Sequence, residues 1–171
     1  MPQANGAAAL VPTFDPRALR RAWGQFATGV TVVTVRHGDG ARGMTANSFT
    51  SISLDPPLVM VSVAHRARTH SLIEASGRFA VSVLSVAHQA WADRFAGRQG
   101  ERQSDFSDVP HRLTPDGLPL IDGALAHFVC RVVAVYPAGD HSIFLAEVDQ
   151  FETHPGPAPL VFFSGLYRTL G

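Results

Sequence analysis

A single cysteine, Cys130, gives this chain nothing to pair with in an intrachain disulfide, and that scarcity suits a reducing compartment. The expectation is a cytoplasmic protein. Long apolar runs are also missing: none approaches the roughly 18 residues of a membrane-spanning helix. Met1 to Pro12 lacks the basic start and apolar middle of a signal peptide, and its Ala, Gly and Pro content reads as a frayed tail. Charge of one sign is absent as well. Fourteen basic residues face fourteen acidic ones with no basic face, which argues against nucleic acid and anionic membrane as partners.

Several catalytic signatures are missing. There is no Gly-x-Ser-x-Gly elbow, no phosphate loop ending in Gly-Lys-Ser/Thr, and no Gly-x-Gly-x-x-Gly after a strand. The eight histidines show no His-x-x-x-His spacing and there is no Cys-x-x-Cys, so no metal site is expected. Cys130 lies between Phe128 and Val132 and reads as a small buried hydrophobe, not a nucleophile.

What remains is a globular composition, 46% hydrophobic and 16% charged over 171 residues. That predicts one domain over 13–171 behind a tail of residues 1–12. Asp15-Pro16 predicts a helix start, and Leu19, Trp23 and Phe26 supply an apolar stripe that Gly29 ends. Val30 to Val35 is rich in β-branched residues, and His37-Gly38-Asp39-Gly40 is a turn, so a hairpin into the segment after Gly43 is expected. Asp55-Pro56-Pro57 breaks the chain before Leu58-Val59-Met60-Val61, which reads as a strand buried on both faces. A short helix is predicted over Thr69 to Ala75, and a half-buried strand over Phe79 to Val83. Ser85 caps a helix carrying Trp91 and Phe95 that ends at Gly97. Arg98 to Arg112 reads as a mobile loop. Ala124 to Tyr136, Ile143 to Val148 and Leu160 to Phe163 are further strands. Strands outnumber helices, the helices are short, and no strand–helix alternation of the doubly wound type repeats, which predicts a mainly β, closed or nearly closed antiparallel barrel with peripheral short helices.

Chemistry concentrates in Gly43-Met44-Thr45-Ala46-Asn47-Ser48-Phe49-Thr50-Ser51, a run of small hydroxyl and amide side chains between two apolar stretches. A buried polar group without a partner costs roughly 1–3 kcal/mol. Either the protein supplies partners, or Thr45, Asn47 and Ser48 face a flat heteroaromatic ligand. Ser62 to His70 joins a strand end to a helix start and carries Arg66 and Arg68, an anion-binding arrangement or a solvated turn. Gly139-Asp140-His141 puts a histidine just before an apolar strand. Phe162 to Arg168 places two aromatics, a glycine turn and Tyr-Arg near the C-terminus.

In order and spacing these pieces resemble the flavin reductase-like family. The matching runs are Phe26-Ala27-Thr28-Gly29-Val30-Thr31-Val32-Val33-Thr34, Gly43 to Phe49, Ser53-Leu54-Asp55-Pro56-Pro57-Leu58-Val59, Phe95-Ala96-Gly97, Gly139-Asp140-His141 and Phe162-Phe163-Ser164-Gly165-Leu166-Tyr167. The resemblance as a whole covers residues 14 to 168. The resemblance implies an FMN-binding split β-barrel, most similar to the small reductase component of two-component flavin-dependent monooxygenases. It implies FMN or FAD as flavin, NADH or NADPH as electron donor, and a homodimer with the flavin near the subunit junction. By position it implies that Ala41, Arg42, Gly43, Met44, Thr45, Ala46, Asn47 and Ser48 run along the flavin ring and ribityl chain. Ser62, Val63 and Ala64 would lie beside the ring, and Arg68 and Thr69 would meet the phosphate. Arg94, Phe95, Ala96 and Gly97 would follow the rest of the cofactor, Tyr167 and Arg168 would close one side, and His141 would position the nicotinamide. The family pattern Phe-Leu-Gly-Glu-Val is here Phe144-Leu145-Ala146-Glu147-Val148. Two other readings share the barrel: a non-catalytic flavin-binding or electron-transfer protein, and an oxidase of the pyridoxamine-phosphate type, which uses more basic residues than this chain spares.

Overall fold

The structure is a computed structural model and describes residues 14–97 and 105–170. The tail over residues 1–12 and residues 98–104 of the predicted loop lie outside the described residues; the rest of that loop, 105–112, is described.

Local chemistry sets the first elements. The Asp15 carboxylate accepts from the Arg17 and Ala18 N–H groups at 3.0 and 3.3 Å, and Pro16 takes the first position of α1 (Pro16–Trp23), where no N–H is needed. The helix stops at Gly24, five residues before Gly29, which lies instead in the short strand β1 (Thr28–Gly29). The predicted apolar stripe is not core. Trp23 and Phe26 are 67% and 78% exposed among the described residues. β2 (Thr31–His37) and β3 (Gly40–Ala46) form the expected hairpin, with Gly38 at φ 58° in its turn. β4 (Thr50–Leu54) and β5 (Pro57–Ala64) form a second, turning at a cis Asp55-Pro56 bond. Then follow α2 (Arg68–Ser76), β6 (Arg78–Val83), a 3₁₀ turn (Val86–His88) capped by Ser85, and α3 (Gln89–Ala96). β7 (His111–Leu113) and β8 (Pro119–Ile121) pair as a small hairpin. Two thirteen-residue strands, β9 (Ala126–Ala138) and β10 (His141–Thr153), make the longest ladder, and β11 (Val161–Phe163) and β12 (Leu166–Arg168) finish the chain.

Seven strands form one antiparallel sheet in the order β3-β2-β6-β9-β10-β5-β4. Its two edge strands, β3 and β4, are consecutive in sequence, joined only by residues 47–49. Four residue steps span at most about 14 Å. The edges of a flat seven-stranded sheet would lie roughly 29 Å apart, at about 4.8 Å per strand spacing. The sheet must therefore roll until its edges nearly meet. They do not pair as a ladder, so the barrel is split there.

The rolled sheet encloses Val33, Val35, Val59, Val61, Val63, Phe79, Val81, Cys130 and Phe144, all at most 4% exposed. α2 is not merely peripheral: Ile73 is fully buried in the same cluster. β5 departs from the expectation of two buried faces. Val59, Val61 and Val63 point into the barrel, while Met60 and Ser62 are half-buried. β6 departs in the opposite sense and is buried on both faces, because the β7–β8 hairpin covers its outer side. There Leu118 and Leu120 pack on Ala80 and Val129, and the Ser82 hydroxyl accepts from the Ile121 N–H at 3.1 Å. A second cluster, Val30, Val32, Leu84, Ala92, Phe95 and Ile121 among them, fills the space beneath α3. Among the described residues no helix is long and apolar enough to cross a membrane.

Candidate active site at the barrel seam

At the split, three chain segments converge on one groove of about 250 Å³: Met44 to Ser48, then Ser62, Ala64 and Ala67, and His141. The first is the end of an edge strand, so alternate backbone groups of β3 have no sheet neighbour. Two of its hydroxyls are committed to the fold. Thr45 Oγ1 donates to the Ala92 carbonyl at 2.7 Å, tying β3 to α3. Ser48 Oγ donates to the Ser62 carbonyl at 2.9 Å and accepts from the Ser62 N–H at 3.2 Å, stapling the seam where the β4–β5 ladder has ended. Asn47 differs. Its amide is exposed in the groove and, among the described residues, has no hydrogen-bond partner. Gly43 and Ala46 are buried and contribute backbone only.

The second segment leads from β5 into α2. Ser62 and Ala64 line the groove, but the Val63 side chain is turned into the barrel core, so only its backbone can serve a ligand. Ala67 precedes α2 and supplies no side-chain cap, which leaves the helix N-terminus open beside an exposed Arg68 that pairs with no carboxylate among the described residues. Thr69 is buried, 5% exposed.

The third segment is the β9–β10 turn, where Gly139 takes φ 64°, a left-handed conformation that glycine adopts without strain. His141 stands opposite Ala64 in the ladder. Its Nδ1 lies 2.6 Å from Asp140 Oδ1, and that hydrogen bond holds the Asp140 carboxyl below the usual carboxylate range. With Nδ1 committed, Nε2 is the ring atom left for a ligand. Beneath it, the buried Ser142 hydroxyl is shared by His65 Nε2 at 3.1 Å and His70 Nε2 at 2.9 Å. An outer depression of about 620 Å³, lined by Leu19, Arg20, Trp23, Arg66 and Asp140, shares Ser62 and His141 with the groove. These two residues form the wall common to both spaces.

The remaining residues singled out from the sequence lie elsewhere. Ala41 and Arg42 line a separate depression of about 790 Å³ with Asp105, Phe106 and His111. Arg94 is 7% exposed, and its guanidinium is engaged by Asp105 at 2.9 Å and Asp108 at 2.6 Å. Phe95 is buried against Phe106, with ring centroids 4.8 Å apart. Tyr167 packs on Phe162 over the cluster beneath α3, and Arg168 is exposed on β12. None of Arg94, Phe95, Ala96, Gly97, Tyr167 or Arg168 lines the groove. Sequence reasoning passed over Ala67, although it lies between the named Ala64 and Arg68, and it named Trp23 only in the apolar stripe of the first helix, not beside the site. Cys130 is buried as expected, and burial pushes its thiol up to about 12, which removes it as a nucleophile.

Comparison with known proteins agrees with this arrangement. The family model described as "Flavin reductase like domain" matches residues 23–171. An NADH-dependent flavin reductase of Rhodococcus sp is 42% identical over 164 residues, covering 94% of this chain and 90% of that protein. The reductase component of 4-hydroxyphenylacetate 3-monooxygenase from Thermus thermophilus is 40% identical over 157 residues, covering 90% and 95%. Among solved structures, the Streptomyces globisporus NADH:FAD oxidoreductase SgcE6, in complex with NAD and FAD fragments, superposes with a TM-score of 0.83 at 43% identity, covering 94% of this chain and 97% of that one. With the family model spanning nearly the whole chain over a matching split-barrel fold, this chain belongs to the flavin reductase-like family.

Proposed function

We propose that this chain is an NAD(P)H:flavin oxidoreductase whose seam groove holds the flavin ring and whose outer depression admits the nicotinamide. One observation carries the reading: Ser62 and His141 are shared by the two spaces, so molecules in them would meet at that wall. The donor set fits a flavin. The unpartnered Asn47 amide and the free backbone groups of β3 suit the polar edge of the ring. The open α2 N-terminus and Arg68 suit its phosphate.

When bound, a flavin supplies the two-electron acceptor chemistry that no side chain here offers. The residues of the groove bind and orient. His141, its ring held by Asp140, presents Nε2 to the nicotinamide side and acts as a positioning group. NADH is the donor named for the Rhodococcus and Streptomyces globisporus proteins, and reduced flavin would pass to a partner monooxygenase, as the name of the Thermus thermophilus relative implies for that protein. The chain would act as a homodimer, with Trp23 and Phe26 among the apolar side chains it would cover.

The test is consumption of NADH, followed by its absorbance, with FMN and FAD supplied in turn and NADPH compared. The expected result is flavin-dependent oxidation. A tight flavin complex that leaves the nicotinamide unconsumed would identify a flavin carrier instead. The variant His141→Ala should raise KM for the nicotinamide more than it lowers kcat. A loss of several orders of magnitude in kcat at unchanged KM would overturn the positioning role.

A further inference from the structure

At the far end of the β9–β10 ladder from His141, about twelve residues or ~40 Å of strand away, three ligating side chains converge. Glu152 is the cross-strand partner of His127, and His154 follows directly after β10. Sequence spacing hid this grouping, because the ladder register, not a short motif, brings 127 beside 152. His127 is 3% exposed. Its Nε2 lies 2.9 Å from the Ile121 carbonyl. A carbonyl only accepts, so the proton sits on Nε2 and the lone pair on Nδ1. That Nδ1 lies 3.2 Å from Glu152 Oε1 and 3.3 Å from His154 Nε2, and His154 Nε2 lies 3.6 Å from Glu152 Oε2.

From these distances we infer that His127 Nδ1, Glu152 and His154 Nε2 form a divalent-cation site of the zinc class. Zinc bonds to nitrogen and oxygen ligands run roughly 2.0–2.2 Å. A tetrahedron built on them has edges of about 3.3–3.6 Å, about 1.63 bond lengths. Two edges match directly, from His127 Nδ1 to Glu152 Oε1 at 3.2 Å and to His154 Nε2 at 3.3 Å; His154 approaches the other carboxylate oxygen, Oε2, at 3.6 Å, so a turn of the Glu152 carboxylate completes the face with a single oxygen. The Ile121 carbonyl acts as the outer-shell acceptor that metal-bound histidines regularly have, fixing the ring and its tautomer. His127 and Glu152 also line a depression of about 170 Å³, which leaves room for water at the fourth position.

One cation already competes. The half-exposed Arg112 side chain, reaching across from β7, pairs with Glu152 Oε1. A metal ion must turn that guanidinium away, so Arg112 weakens the site. Because the cluster lies a strand's length from the groove, its role is to pin the chain where β10 ends, not to take part in turnover.

The test uses the full chain after treatment with EDTA. Zinc titration by calorimetry should give about one equivalent bound per chain and a rise in Tm. Cobalt substitution should give the intense visible bands of tetrahedral nitrogen and oxygen ligation. His154→Ala and Glu152→Gln should lose the binding and the Tm rise, and Arg112→Ala should bind severalfold more tightly. Both His154 and Glu152 are partly exposed, so these variants test the site without emptying a core position. Absence of zinc binding by wild type and Arg112→Ala alike would overturn the inference, as would equal zinc binding by wild type and His154→Ala.

Discussion

Gly43 shows why a single residue type can be dictated by packing at a site. A Cβ built there would lie 2.6 Å from two ring carbons of Phe95 and 3.2 Å from Phe106. The glycine lets β3 lie flush against α3, which in turn accepts the Thr45 hydroxyl. Gly43→Ala should force the Phe95 ring aside and cost about 1–3 kcal/mol in urea unfolding, with weaker flavin affinity as β3 shifts. Unchanged stability together with unchanged affinity would refute this role. The same residues mark the limit of legibility at this scale. The polar run from Gly43 to Ser48 was visible in the sequence as a segment needing partners, and Met44 to Ser48 of it line the groove. Which hydroxyls the fold had already taken was not visible, since Thr45 meets Ala92 and Ser48 meets Ser62 across 47 and 14 residues. Only Asn47 is left with its polar group free.

Elements were legible where the determining interaction is local. The Asp15 cap, the Gly38 turn and the left-handed Gly97 behind α3 all follow from chemistry within a few residues. Burial that depends on a distant segment was not legible: β6 reads as half-buried until the β7–β8 hairpin is laid over it. Arg94 is the same case. Its cofactor role was inferred by position, yet its guanidinium holds the segment that begins at Asp105. Arg94→Ala should release that segment, costing about 1–3 kcal/mol and speeding hydrogen exchange around Phe106. Acid should do the same. Hydrogen bonds from the Ser107 hydroxyl and N–H, with a smaller influence from Arg94, hold the Asp105 carboxyl below its usual range. A carboxyl with a lower folded than unfolded value contributes stability above its unfolded value and loses it as pH falls through the folded one. The segment should therefore loosen only below about pH 4. Exchange around Phe106 that is unaffected by both acid and Arg94→Ala would refute the anchoring.

At the scale of the whole molecule, the roll of the sheet explains both the site and an unfinished surface. Joining edge strands through three residues leaves a seam, and the seam is the groove. The same chain leaves Trp23, Phe26, Val133, Val135 and Tyr136 between 38% and 78% exposed. Trp23 ends α1, Phe26 lies in the bend just after it, and the others lie on the distal half of β9; Trp23 also lines the outer depression beside His141. Isolated exposed apolar residues are ordinary, but several large ones beside the depression at His141 suit the interface of the proposed homodimer. A second copy packed on them would wall the nicotinamide space that one chain leaves open. The protein should therefore elute at twice its 18.3 kDa chain mass. Tyr136→Asp, a charge placed on the exposed strand, should shift it toward the monomer and weaken nicotinamide binding in step with the shift. A species of 18.3 kDa with full activity would refute this, because the site would then be complete within one chain.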